Sequence, residues 1–193
     1  MRTFIALEPR KEFLEHLLLL LTPLKEKYPH FRWVPKENLH ITLAFLGELD
    51  KGFLPLVEEA AEESLLGRDS NAISVTSGKL FTLPPKSNAN VLALSFEKGG
   101  EGIAALAACV RKNLEIRGIH LQGEMGSRFL PHRRFLPHLT VARKGKEPLF
   151  FYKEDEKLEV QGIFDNIVVY KSELLPQGAC YTVLASYQLG FVH

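Results

Sequence analysis

Cysteine is scarce in this chain: its 193 residues include two, Cys109 and Cys180, far apart and without Cys-x-x-Cys spacing. That excludes a disulfide scaffold and argues against a structural zinc site built on thiolates, so a reducing cytoplasm is the expected setting. Long apolar runs are missing as well. The leucine run, Leu17 to Leu21, is far too short to span a bilayer, and Met1-Arg2-Thr3-Phe4-Ile5-Ala6-Leu7 lacks the extended apolar region and small-residue cleavage site of a signal peptide. Nor is there an excess of one charge: 24 Lys and Arg stand against 23 Asp and Glu, a net +1. Such a molecule has no field of the kind that holds long nucleic acid non-specifically, so any such contact must be local. A phosphate-cradling Gly-x-x-x-x-Gly-Lys is absent, and ATP binding is not expected.

What is present is ordinary globular material. The chain is 46% hydrophobic and 24% charged, and the length of residues 1–193 suits one domain of ordinary size, or two small lobes sharing a cleft. Basic residues gather around Arg128, Arg133, Arg134, Arg143, Lys144 and Lys146, with His132 and His138 among them. A run of this kind is most often a solvated face.

Periodicity predicts a strand over Thr3–Leu7 and a helix from Lys11 to about Tyr28 with Phe13, Leu14, Leu17, Leu18 and Leu21 inward, kinked or interrupted at Pro23. A strand follows over Leu39–Leu46, then a helix over Phe53–Leu66 with Gly67 as its C-cap. Ile73–Phe81 and Val91–Phe96 read as a hairpin, Ile103–Ile116 as a helix ending at Gly118, and His120–Pro131 as loop. Leu136–Arg143 reads as a strand, and Ile163–Lys171 with Tyr181–Leu189 as a last pair across Leu175-Pro176-Gln177-Gly178. Strands outnumber helices and hairpin-scale turns separate most of them, which predicts an α+β fold with antiparallel sheets rather than a doubly wound parallel one.

Leu39-His40-Ile41-Thr42-Leu43 is echoed by Pro137-His138-Leu139-Thr140-Val141, about half the chain further on. On a strand His40 and Thr42 share one face while Leu39, Ile41 and Leu43 take the other, and the same holds for His138 and Thr140. If the two strands face one another across a cleft, two imidazoles and two hydroxyls converge. That set suits a phosphodiester: one imidazole takes a proton from water, the other gives one to the departing ribose oxygen, and the threonines donate to the non-bridging oxygens.

The tetrads His40-Ile41-Thr42-Leu43 and His138-Leu139-Thr140-Val141 resemble the paired His-x-Thr-x motifs of the two-histidine phosphoesterase superfamily, in particular its LigT-like RNA 2′,3′-cyclic phosphodiesterases. The likeness extends to Arg2-Thr3-Phe4-Ile5-Ala6-Leu7, Arg32-Trp33-Val34, Glu37-Asn38-Leu39, Leu43-Ala44-Phe45-Leu46-Gly47, Ala142-Arg143, Tyr170-Lys171-Ser172, Leu175-Pro176 and Gly178. It implies two pseudo-symmetric lobes of antiparallel sheet with flanking helices around a central cleft. It also implies roles: His40 as the acid protonating the leaving 3′ oxygen, His138 as the base activating water, a 2′-phosphate as product, and neither metal nor cofactor.

Phe45 and Arg143 each stand five residues after their histidine. They can hold a nucleobase between a phenyl ring and a guanidinium plane, or Arg143 can grip the phosphate. Strict alternation puts an offset of five on the wrong face, so this placement requires a bulge or a strand end. Three rivals stay open: a metallohydrolase ligated by His40 and His138, for which no Cys, Asp or Glu stands at ligand spacing; a module binding an RNA end or 2′,3′-cyclic nucleotide without turnover; and 2′-5′ ligation, the reverse reaction. His132 sits in a near-copy of the second motif, Arg128-Phe129-Leu130-Pro131-His132, but lacks the Leu-Thr that follows His138. His30, His120 and His193 have no evident partners. A monomer with no membrane association is expected.

Overall fold

Alternating burial along the strands and a three-to-four spacing along the helices organise the chain, of which a computed structural model describes residues 1–66, 71–84, 89–121, 135–146, 157–175 and 178–190. In chain order these form β1 (Arg2–Pro9), α1 (Lys11–Lys27), β2 (Arg32–Trp33), β3 (Ile41–Glu48), α2 (Leu54–Glu63), β4 (Ile73–Leu83), β5 (Val91–Lys98), α3 (Gly100–Ile116), β6 (Leu139–Arg143), β7 (Gln161–Leu175) and β8 (Gly178–Gln188). The strands make one open antiparallel sheet in the order β2-β6-β5-β4-β7-β1-β3, with β8 also on β7. The fold is α+β, as the sequence predicts.

The long strand β7 explains the branching. Its first residues, Gln161 to Phe164, pair with β4, and its remainder from Asn166 to Leu175 pairs with β8, while its opposite edge takes β1. One strand therefore joins a group β3-β1-β7-β8, which carries the first histidine tetrad, to a group β2-β6-β5-β4, which carries the second.

Helix α1 turns Phe13, Leu17, Leu21 and Leu24 inward, and the Phe13 ring meets Phe164 of β7 edge-on at 5.1 Å. Gly162 makes this approach possible, because a Cβ there would lie 2.6 Å from that of Phe13. The helix runs through Pro23 without the interruption that is one of the two outcomes expected there. Proline removes the hydrogen bond to the carbonyl four residues back, which belongs to Leu19, a residue 72% exposed, where water can replace it. Helix α2 buries Val57, Ala60 and Ala61, and α3 buries Ile103, Leu106, Ala107, Val110 and Leu114 before Gly118 ends it in a left-handed conformation at φ 71°.

Several boundaries differ from the sequence reading. The strands β3 and β6 begin one residue after their histidines, and the β7–β8 hairpin starts earlier in each strand than periodicity suggests. The expected loop Leu83–Asn88, the Gly67 cap, Arg128, His132, Arg133, Arg134, Pro176 and His193 lie wholly or partly outside the described residues. Among the described residues no helix is long and apolar enough to cross a membrane.

Candidate active site

On β1, Ile5 and Leu7 point into the main core, while Phe4 and Ala6 point to the opposite face of the sheet. That second face carries the site. Phe4 and Ala6 cluster there with Val168 and Tyr170 of β7, and Phe45 and Tyr181 pack at the edge of the group.

His40 stands just before β3 and leans into this cluster. Its ring stacks on Phe4 at 5.0 Å, meets Tyr181 edge-on at 5.5 Å and lies 6.1 Å from Tyr170. Its Nδ1 is 2.8 Å from the carbonyl of Asn38, and the Asn38 side chain donates to the Ala179 carbonyl of β8 at 3.0 Å, which fastens the turn. His138 repeats the arrangement: its Nδ1 is 2.8 Å from the carbonyl of Leu136, also two residues upstream. A carbonyl can only accept, so each Nδ1 carries the hydrogen and each Nε2 remains as the atom that takes or gives a proton. The Phe81 ring meets His138 edge-on at 6.4 Å.

Burial pushes the His40 imidazole down to about pKa 4; the Asn38 hydrogen bond opposes this, and the positive charges of Arg143 and His138 add to it. Those two charges act on His40, so the histidine of the second tetrad and the arginine beyond that tetrad contribute to the electrostatics of the first.

The threonines follow. Thr42 pairs across β1 with Ala6, and Thr140 across β5 with Ala93; both are half-buried, and each partner is too small to cover the hydroxyl. Beyond each threonine the pairing slips by one residue. Thr42 pairs with Ala6 and Ala44 with Ile5, leaving Leu43 extra; Thr140 pairs with Ala93 and Ala142 with Leu92, leaving Val141 extra. Both extra residues are buried, and the alternation resumes one step out of phase, which returns Phe45 and Arg143 to the face of their histidines. The required bulge is thus present twice, at equivalent positions.

Phe45 and Arg143 are not placed alike in their surroundings. Arg2, rather than Arg143, lies over the Phe45 ring, with its guanidinium carbon 5.1 Å from the centroid. Arg143 is exposed, is paired across strands with Arg32 and Val91, and has no carboxylate within ion-pair reach among the described residues.

Next to the aromatic cluster, on the same face of β1 and β7, runs a polar chain that sequence reading missed. Tyr170 donates to Glu8, Asn166 donates to the other Glu8 oxygen at 3.0 Å, and Ser186 donates to the Asn166 carbonyl oxygen at 2.9 Å. Burial, followed by the Glu8 bond and charge, raises the Tyr170 hydroxyl so that it stays protonated. Each of Phe4, Tyr170 and Tyr181 looks alone like an ordinary strand aromatic, and only the pairing of β1, β7 and β8 assembles them. Among the described residues no group of three His, Cys, Asp or Glu side chains is placed to hold a metal ion.

Residues 7–89 match the model of the LigT like Phosphoesterase family. Across 97% of this chain and 98% of its own length, a Methanothermobacter thermautotrophicus protein named RNA 2′,3′-cyclic phosphodiesterase is 27% identical. A Thermotoga maritima protein of the same name is also 27% identical, over 95% of this chain and 93% of its own. Among solved structures, TT0787 of Thermus thermophilus superposes with a TM-score of 0.81 at 27% identity over the full length of both chains. E. coli LigT in its apo form shares the fold, with a TM-score of 0.69 over 98% of this chain and 97% of its own, at 22% identity.

Proposed function

We propose that this relative of the LigT-like phosphoesterases is an enzyme that opens RNA-terminal 2′,3′-cyclic phosphate to a 2′-phosphomonoester, with His40 and His138 as a metal-independent acid–base pair. The observation that carries the reading is the twin anchoring of the histidines, each with Nδ1 on the carbonyl two residues upstream and Nε2 left for proton transfer. The names of the Methanothermobacter and Thermotoga relatives support the substrate class.

In this mechanism His138 Nε2 takes a proton from water, the water oxygen bonds to phosphorus, and the bond from phosphorus to the 3′ oxygen breaks. His40 Nε2–H then protonates that oxygen. Thr42, Thr140 and the exposed guanidinium of Arg143 receive the non-bridging oxygens, where charge builds. Phe45, on the same face, offers its ring to the base. His40 is held neutral in the free protein at neutral pH, so its acid role requires that the entering anion offset the positive charge of Arg143 and let the imidazole take up a proton.

The test is a short RNA ending in 2′,3′-cyclic phosphate, incubated in excess EDTA with wild type, His40→Ala and His138→Ala. Wild type should yield a 2′-phosphate, and each variant should be slower by roughly 10²- to 10⁴-fold. An intact cyclic end that is opened only after divalent metal is added would move the assignment to a metallohydrolase. Saturable binding with no product under either condition would make the chain a binding module.

A further inference from the structure

Each bulge leaves a backbone carbonyl outside the regular ladder, at the extra residue three places after the histidine. In β6 the chain itself satisfies it: the Val34 N–H donates to the Val141 carbonyl at 2.9 Å. In β3 a side chain does so instead. Arg111, half-buried on α3, donates from Nε to the Leu43 carbonyl at 2.9 Å. The same guanidinium lies over the Phe135 ring, its central carbon 4.8 Å from the centroid. Phe135 is partly buried against the core and precedes His138 by three residues, in a stretch outside any strand, so sheet hydrogen bonds do not fix its position.

We propose that Arg111 is a positioning residue for the two-histidine reaction, tying the bulge of the His40 strand to the segment that delivers His138 and so setting the separation of the imidazoles. The proposal rests on the hydrolytic reading above. Arg111 acts through its contacts with Leu43 and Phe135. A cation half-buried over an aromatic face and bonded to a carbonyl is held by two directional contacts, which a flexible lysine cannot reproduce because it lacks the forked N–H geometry. Proton transfer is sensitive to small displacements, and a misplacement of about 1 Å can cost on the order of a hundredfold in rate.

The experiment compares wild type, Arg111→Met, Arg111→Lys, Phe135→Leu and the double variant Arg111→Met/Phe135→Leu. It measures kcat and KM on the cyclic-ended RNA, well below each protein's own Tm, and the ring Cε1–H resonances of His40 and His138. Arg111→Met should lower kcat roughly tenfold to a hundredfold with KM changed less than about threefold. Arg111→Lys should recover part of the loss, and the double variant should be no worse than Arg111→Met. Both histidine resonances should move in Arg111→Met, and that readout does not depend on turnover. Unmoved resonances overturn the proposal even if wild type proves inactive, an outcome that would separately defeat the hydrolytic reading. In an active enzyme, a kcat within twofold of wild type, or losses in Arg111→Met and Phe135→Leu that simply multiply, also overturn it.

Discussion

His40 illustrates how a residue legible in sequence acquires its properties from neighbours that were not. The alternation Leu39-His40-Ile41-Thr42-Leu43 marks it as a polar side chain on a wet face. Nothing local announces that Phe4, Tyr170 and Tyr181, from strands far away in the chain, surround its ring. Their contact removes water from the imidazole, and its pKa falls from 6.5 to about 4. Between those values the unfolded chain holds more protons at this site than the folded one, so stability must fall as pH is lowered through the window and is fully present above pH 6.5. A His40→Gln variant lacks the effect. The stability difference between wild type and His40→Gln, from urea unfolding at pH 7.5, 5.5 and 4.5, should shift against wild type by up to about 1.4 kcal/mol per pH unit below 6.5. Parallel curves for the two proteins would mean that the folded pKa is not depressed.

At the scale of elements, the sequence carried more of the site than of the scaffold. An offset of five from histidine to Phe45 and to Arg143 demanded a bulge, and the register slips at Leu43 and Val141 provide one in each strand. The two-residue strand β2 escaped notice because Arg32-Trp33 is too short to show a period, and it exists only through pairing with β6. The partnership of Arg2 with Phe45 was equally hidden, since it depends on the register of β1 against β3. Gly162 is another position whose meaning is tertiary. It reads as a weak strand residue, but it is where the backbone of β7 makes room for Phe13 of α1. A methyl there meets Phe13 Cβ and Cδ2 at 2.6 and 2.8 Å, with the ring already held against Phe164. Gly162→Ala should therefore cost roughly 1–3 kcal/mol in chemical denaturation while leaving kcat/KM within about twofold, because α1 covers the face away from the histidines. A neutral effect on stability would mean that the helix shifts freely, and the close fit would lose its significance.

For the whole molecule the sequence suggested two similar lobes, each giving one tetrad to a shared cleft, and the half-chain spacing of His40 and His138 was its only long-range clue. What spacing could not convey is the manner of joining. Two separate sheets facing one another would need only a docking surface, and each could open alone. Here β7 is a structural strand of both groups: Phe164 pairs with Ile73 of β4 on one edge and Pro9 of β1 on the other, and its side chain is fully buried beneath α1. Removing either group strips backbone hydrogen bonds and apolar cover from a strand the other requires, so partial opening has little to recommend it energetically. Unfolding should then be a single cooperative transition. Trp33, whose indole donates to the Tyr28 carbonyl and which pairs through β2 with β6, reports the second group by its emission. Far-UV circular dichroism reports both, and native-state hydrogen exchange of β1 and β5 amides reports them separately. The urea midpoints from emission and dichroism should coincide, and the slowest amides of β1 and β5 should open with the same free energy. A Trp33 transition displaced from the dichroism curve, or β5 amides exchanging through a cheaper opening than β1, would show that the two groups unfold independently and that β7 does not couple them.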